Sequence, residues 1–551
     1  LMMRLVRCDW ILLIFATVLI IFGIVTWITF PIIYKKEVES NLQLKQNADK
    51  TLSTSAWQWS HPPMTNIMSF YFFNVTNPDE IIYYGAKPAV VELGPWTVQE
   101  KEEKQYPKWS SDGEQVFYEN YKTYFERSDL CNGCSLTDLV TIPNPTGLGA
   151  AADMWDPQYN VTPTGRVLIS WGLILLGEYP FVTQSVGDIL FNGYNDALLT
   201  AAHSQLLQEI EKLFFNGRNI IPIPIPDMPR MGFFQGYNGT QDEYYWVRTG
   251  KGDIDRIGEV VSWGNQTSLP TAWWGDDYAR SIRGTDSGSF SKMHLKKDDK
   301  LPMFQSFFCR SFDAVYLNET TVHSIPAYTY SVDYDQWDTT ADQNVGFRYR
   351  NVEKMNYFPD WPSCPDRNQS LCVSPQAVNC SLQANFCDDC CKGSYVNGTY
   401  LIPPGLYPLV CYPGRLEPSP FSVMYSPPHF VYSPKEVPDS VYGLSPNLDQ
   451  HRPILYVHEP YSGTVVEAIV QLMVNMPTFP NEVVFQCMHM PTSIIPLFWQ
   501  SARAYLHDDT YHLIWIGFVF VPNFIDVLKY CAIGLGLFLV VIVAFRVFRR
   551  K

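Results

Sequence analysis

The sequence predicts an α+β membrane protein in which two terminal transmembrane helices flank a large, strand-rich ectodomain. Three observations carry that reading. Uncharged segments lie near both ends of a 551-residue chain. The loop between them holds eight N-x-S/T sequons. The same loop holds 11 of the 13 cysteines, as suits an oxidising compartment.

From Trp10 to Tyr34 the chain runs 25 residues without a charge, a helix of about 37 Å that crosses a bilayer with some tilt. Arg4 and Arg7 precede it, as in a cleaved signal peptide. The run is too long for that, and ends in Thr29-Phe30-Pro31-Ile32-Ile33-Tyr34 with no small-residue cleavage site. An uncleaved signal anchor is expected. The chain opens on Leu1, so a few preceding residues are expected to be missing. The second segment, Tyr530 to Phe545, has 16 residues and spans about 24 Å, short for a crossing. Lys529 is expected to snorkel outward and the helix to start near Phe524. Pro522 and Asp526 argue against one helix through Leu513–Ile525, which is assigned to the ectodomain core or interface. The expected layout is 1–9 cytoplasmic, 10–34 and 526–545 transmembrane, 35–525 ectodomain and 546–551 cytoplasmic. Arg546, Arg549, Arg550 and Lys551 set that orientation through the positive-inside rule.

The sequons, at Asn74, Asn160, Asn238, Asn265, Asn318, Asn368, Asn379 and Asn397, are expected to carry N-linked glycans. Asn160 is weakened by Pro163, and Asn379 by the neighbouring Cys380. Of the cysteines, Cys8 and Cys531 sit at or in the spans. The others (Cys131, Cys134, Cys309, Cys364, Cys372, Cys380, Cys387, Cys390, Cys391, Cys411 and Cys487) are expected to form disulfides with at least one left over. Cys131–Cys134 and Cys387–Cys390 have zinc-ligand spacing, but they lie among sequons without matching histidines, so no metal is expected.

Hydrophobic residues make up 46% of the chain and charged ones 17%, which favours a large folded core over disorder. The net charge is −15; the short ends carry about +5, leaving about −20 on the loop. That disfavours nucleic acid as a partner. Asp286-Ser287-Gly288 resembles a protease fragment, yet no second Asp-Thr/Ser-Gly exists to complete a carboxylate pair. With no P-loop, H-E-x-x-H or G-x-S-x-G either, no enzyme activity is expected.

Strands are expected at Gln115–Arg127, Tyr244–Arg248, Ala327–Tyr334 and Ile454–His458, which are rich in aromatic and β-branched residues. His203–Phe215 has the spacing of an amphipathic helix. Val167–Leu176 is apolar almost all round and reads as a buried or lipid-facing helix. The four prolines within 220–230 read as an extended connector.

Short motifs then recur in a fixed order: Phe73-Asn74-Val75-Thr76-Asn77-Pro78, Gly85-Ala86-Lys87-Pro88, Glu92-Leu93-Gly94-Pro95-Trp96, Gly284-Thr285-Asp286, Cys309-Arg310-Ser311, Pro427-Pro428-His429-Phe430, Tyr442-Gly443-Leu444-Ser445-Pro446-Asn447, His451-Arg452 and Glu459-Pro460-Tyr461-Ser462-Gly463. In order and spacing, across nearly the whole chain, they resemble the CD36 (class B scavenger receptor) family, which includes the lysosomal integral membrane protein and the sensory neuron membrane proteins. The resemblance implies an antiparallel β-barrel-like core, short helices, an apical helical bundle at about 165–216 and a hydrophobic tunnel toward the bilayer. It places Val167–Leu176, Tyr179–Phe191 and His203–Phe215 in that bundle. Trp171, Leu173, Leu175, Leu176 and Phe181 become candidates for lipid entry, with plain packing of the bundle as the alternative. It also implies a Cys309–Cys411 bridge, and Cys131 with Cys134 look like an added pair.

Two departures qualify the resemblance. Fatty-acid-binding relatives carry a lysine in the apex segment, whereas 167–192 here has no Lys or Arg but Glu178 and Asp188. That leans toward neutral lipid, sterol or a protein partner. A family cysteine expected just before Gly284 is absent from Asp276-Asp277-Tyr278-Ala279-Arg280. The expected function is a cell-surface, scavenger-receptor-like protein that takes up lipid or lipoprotein and passes lipid to the membrane. The alternative is a non-transporting sorting receptor or structural subunit whose apex grips another membrane or secreted protein. No cofactor is expected beyond bound lipid or sterol. The tail lacks an acidic dileucine signal, which favours the plasma membrane, with an extracellular ectodomain, over a lysosomal or endosomal membrane.

Overall fold

The computed structural model describes residues 7–131, 133–155, 159–204, 209, 212, 223, 225, 228–286, 290–339, 341–347, 350–351, 395–396, 399–419 and 422–550. The first apolar run forms one helix, Arg7–Leu42. The last forms a helical run over Asp508–Arg549, made of Asp508–Trp515, a π-turn at Ile516–Phe520 and Val521–Arg549. This corrects the expected break near Pro522. Proline has no N–H to donate, so the chain relaxes into a π-turn just ahead of it and resumes as α-helix with Pro522 in the first turn, where no donor is needed. Asp526 does not stop the helix because it pairs with Lys529 one turn on, at 2.6 Å.

The two helices pack along each other where side chains are smallest. Gly23 lies against Ile533, and Gly536 against Ile20 and the Ala16 carbonyl. Arg550 donates to buried Asp9 at one end, and the Tyr34 hydroxyl donates to the Gly517 carbonyl at 2.7 Å near the other. The two outer termini therefore share one side.

Between the helices, twelve strands run in a single path round a barrel-like sheet. In spatial order they are Val260–Trp263, Thr240–Arg248, Gln115–Glu126, Val90–Trp109, Met64–Val75, Ser493–Leu506, Val465–Thr478, Ile454–His458, Ile325–Ser331, Arg310–Val322, Lys300–Gln305 and Thr285–Asp286. The path closes on itself: Glu259 bridges Thr285, and the Val260 N–H donates to the Gly284 carbonyl at 2.8 Å. Closure removes the sheet edges that otherwise recruit foreign strands. It also explains Gly284, whose φ is +83° and whose added Cβ would strike the Pro302 carbonyl.

The expected strands lie within this barrel, with Ala327–Tyr334 ending early at Ser331. Three of the dispersed motifs converge. Glu92 accepts from the Trp499 indole at 2.7 Å and lies 3.2 Å from His429, whose ring stacks on His451 at 4.1 Å.

The Cys309–Cys411 and Cys131–Cys134 bridges are present. Among the described residues Cys8, Cys487 and Cys531 are free; burial pushes the Cys487 thiol up to about 12, which leaves it unreactive. Cys364, Cys372, Cys380, Cys387, Cys390 and Cys391 lie outside the described residues, as do Asn368, Asn379 and Asn397 and most of His203–Phe215 and 220–230. Asn160, Asn238, Asn265 and Asn318 are exposed, while Asn74 is half-buried on its strand.

Candidate binding cavity

Within the end of the barrel nearest the helices lies a cavity of about 650 Å³. Leu42, closing the first helix, and Leu513, Ile514 and Phe518, opening the second, line its side next to the helices. Val465, Ala468 and Val470 on one strand and Ala502 and Ala504 on the next give it an apolar wall. Alanines at inward positions are what leave the space, since larger side chains there would fill the barrel.

Further round the barrel the wall is charged. Inward positions alternate along strands, and on Val90–Trp109 they fall on Glu100, Glu102 and Lys104. On Gln115–Glu126 they fall on Tyr118, Asn120, Lys122 and Tyr124. Lys122 sits directly opposite Glu102 in register. Its ammonium is 3.5 Å from Asp242 and 3.8 Å from both Glu100 and Glu102. Lys104 is 3.0 Å from Glu102 and 4.0 Å from Asp286, and the Tyr118 hydroxyl donates to Asp286 at 2.6 Å. The ring of Phe307 covers Lys122 at 4.4 Å, while Trp59 and Tyr118 flank Lys104. Glu102 lies deep in the molecule yet keeps 29% of its side chain accessible, because the surface it presents is that of the cavity.

Four carboxylates thus face two ammoniums, and their acidities divide accordingly. Burial disfavours the charge on Glu102, but Lys104 and Lys122 outweigh it and bring its carboxyl down to about 2. For Asp242 and Asp286 burial wins over the same lysines and pushes each up to about 6. A carboxyl raised in the folded state contributes stability that is full below its ordinary value near 3.8 and is lost as pH rises through 6. Asp242→Asn, which cannot titrate, removes that dependence. Lowering the pH from 7 to 5 should therefore stabilise the natural protein relative to Asp242→Asn by about 1–2 kcal/mol. Paired thermal melts at the two pH values check this, and parallel melts would refute it.

The apex candidates lie elsewhere, and none of the five lines the cavity. The Pro163–Leu176 helix starts at Thr162, whose hydroxyl accepts from the Gly165 N–H, and stops at Gly177, with φ +71°. It turns Leu173 and Ile169 into the core and leaves Trp171 and Leu175 59% and 82% exposed. Leu176 and Phe181 are half-buried against the core. Beyond it, the expected helix over Tyr179–Phe191 is instead a strand, Phe181–Ser185, paired with Leu139–Pro143, followed by a π-turn at Asp188–Asn192. Val182 and Thr183 are β-branched, and a partner strand is at hand. Glu178 is a structural group, accepting from the Asn144 amide at 2.9 Å and the Leu198 N–H at 3.0 Å.

Both the fold and the order of its motifs can now be set against known proteins. Residues 14–547 match the CD36 family. The chain belongs to the CD36 family. An uncharacterized protein of Caenorhabditis elegans is 39% identical over 97% of this chain and 96% of its own length. Lysosome membrane protein 2 of Homo sapiens is 25% identical, covering 87% of this chain and 82% of its own. Scavenger receptor class B member 1 of Sus scrofa is 24% identical, covering 93% and 84%. As a CD36-family protein with two apolar terminal helices, the chain is a membrane protein. The family resemblance directs attention to the apex. The charged cavity wall lies outside its motifs, apart from Asp286, and is carried by residues that only the barrel register brings together.

Proposed function

We propose that this chain is a cell-surface receptor that binds hydrophobic lipid ligands or lipoprotein and passes lipid through its ectodomain to the membrane. The observation that carries the reading is the position of the cavity. The first turns of the second helix line it, so an acyl chain or sterol passing from it to the bilayer along that helix would stay out of water. Keeping apolar surface dry is worth about 0.8 kcal/mol per methylene, so no covalent step is required. The similarity to scavenger receptor class B member 1 supports the same reading. Sterol, ester or acyl lipid is the proposed cargo, with N-linked glycans on the outer surface.

The exposed Trp171 and Leu175 favour a second reading, in which the apex grips another membrane or secreted protein and no lipid passes. Lipid mass spectrometry on the purified full-length chain separates the two. Ala502→Trp, a substitution on the cavity wall, should remove most of the lipid that the natural protein retains. Equal lipid in both, or none in either, would shift the assignment to the protein-binding reading.

A further inference from the structure

The charged cluster at the cavity has the wrong balance for a site that holds an anion. Glu100, Glu102 and Glu103 line the cavity with Lys101, Lys104 and Lys122, three of each sign, and Asp242 and Asp286 stand behind them, 3.5 Å from Lys122 and 4.0 Å from Lys104, which leaves two negative charges in surplus. Lys101 is paired with Glu103 at 2.6 Å, and Lys104 and Lys122 are held by the other carboxylates. Removing charge from water is costly unless it is balanced, so surplus negative charge in this interior favours a cationic guest. Among the buried members of the cluster that line the cavity, Glu102 keeps 29% of its side chain accessible, against 9% or less for Glu100, Lys104 and Lys122, and it is an acceptor.

A second, separate observation points the same way. Gln500 lines the cavity, is 7% exposed, and its amide oxygen has no partner. Asn66 lines it too. Its amide nitrogen is spent on Glu100 at 3.0 Å, which leaves its buried oxygen unpartnered. Buried acceptors without donors are expensive and rare, and a donor-bearing guest would satisfy them. The Trp59 indole N–H is a free donor on the same wall, suited to a hydroxyl beside the guest's amine. The apolar side lined by Leu513, Ile514 and Phe518 gives room for a hydrocarbon tail directed toward the membrane helices.

We propose that the cavity selects long-chain amphiphiles with a cationic, hydrogen-bond-donating head, held head-inward at Glu102 with the tail toward the membrane, and discriminates against fatty-acid anions. This rests on the lipid-binding reading above and adds the head-group chemistry. An acid placed there meets Glu102 and unpaired acceptors, whereas an amine of the same length meets partners.

The test is photo-crosslinking of the full-length chain in phosphatidylcholine nanodiscs, with a long-chain amine, alcohol and carboxylic acid matched in length and carrying the same diazirine. Label is read on the peptides that form the cavity wall. The amine should label them about tenfold more than the acid, the ratio that one charge-assisted hydrogen bond supports, with the alcohol between. Glu102→Gln should bring amine and acid within about threefold of each other. If that variant folds poorly, Gln500→Leu, which removes an unpaired amide rather than a partnered charge, should lower amine and alcohol labelling together. Equal labelling by all three heads, or a preference for the acid, overturns the head-group proposal and leaves the lipid reading standing. Labelling of the membrane helices alone, with none on the cavity wall, overturns both.

Discussion

Lys122→Met is expected to destabilise the ectodomain by about 3–5 kcal/mol, the range seen when one partner of a buried ion pair is removed. The cause is what the substitution leaves behind. Asp242, Glu100 and Glu102 lie within 4 Å of the Lys122 ammonium. Asp242 and Glu100 are 3% and 8% accessible, so water cannot replace the lost cation there, while Glu102 keeps Lys104. Methionine matches the stem of lysine, so packing against Phe307 survives and the loss reports on charge. With total stabilities of about 5–15 kcal/mol usual for folded domains, the variant should melt far below the natural protein and accumulate poorly. Lys122→Arg, which keeps the charge, should lose much less. A Lys122→Met melt close to that of the natural protein would show that the carboxylates had been protonated all along and that the wall carries little surplus charge.

Removing the Cys309–Cys411 bridge should cost about as much. The bridge closes a loop with a sequence separation of 102 residues, and both cysteines are fully buried. In the chain-entropy account a loop of about that length contributes about 4.7 kcal/mol by restricting the unfolded chain. Cys131–Cys134 closes a separation of three and should contribute roughly a third as much. The comparison is therefore internal: the paired Cys309→Ala and Cys411→Ala substitutions against the paired Cys131→Ala and Cys134→Ala, each leaving no odd thiol. Thermal melts should fall much further for the first pair. Equal falls would mean that local geometry, not loop length, sets the worth of each bridge.

The sequence disclosed the frame of this molecule more readily than its working surfaces. The first helix is legible because 25 uncharged residues permit little else. The reach of the second is not. Pro522 reads as a stop unless the π-turn ahead of it is known, and that turn leaves no composition signal. Gln115–Glu126 is legible as a strand because its aromatic and β-branched residues fit a pleated surface. Glu100-Lys101-Glu102-Glu103-Lys104 is not legible as a cavity wall. Charges occupy both parities of the strand, so alternation does not mark the inward face. Only pairing with Lys122 across the ladder, and closure of the barrel around both, makes Glu102 an internal group. The apex shows the opposite case. Its helix is plain in the sequence, but which of its apolar residues face out depends on what packs beneath. Leu173 turned inward, and Trp171 and Leu175 did not.

If lipid leaves the cavity along the second helix, as proposed, the position of the cavity sets a sidedness on its release. Leu513, Ile514 and Phe518 stand where the second helix begins, and the Asp9–Arg550 pair lies at the far end of the helix pair. On the proposed lipid-transfer reading, a molecule released at that level would join one leaflet of the bilayer, the one facing the ectodomain. The opposite leaflet fills only as fast as the molecule crosses the bilayer midplane unaided. Guests whose heads cross easily would spread through the whole membrane. Guests with charged heads would accumulate on one side, expanding that leaflet and placing the bilayer under curvature stress.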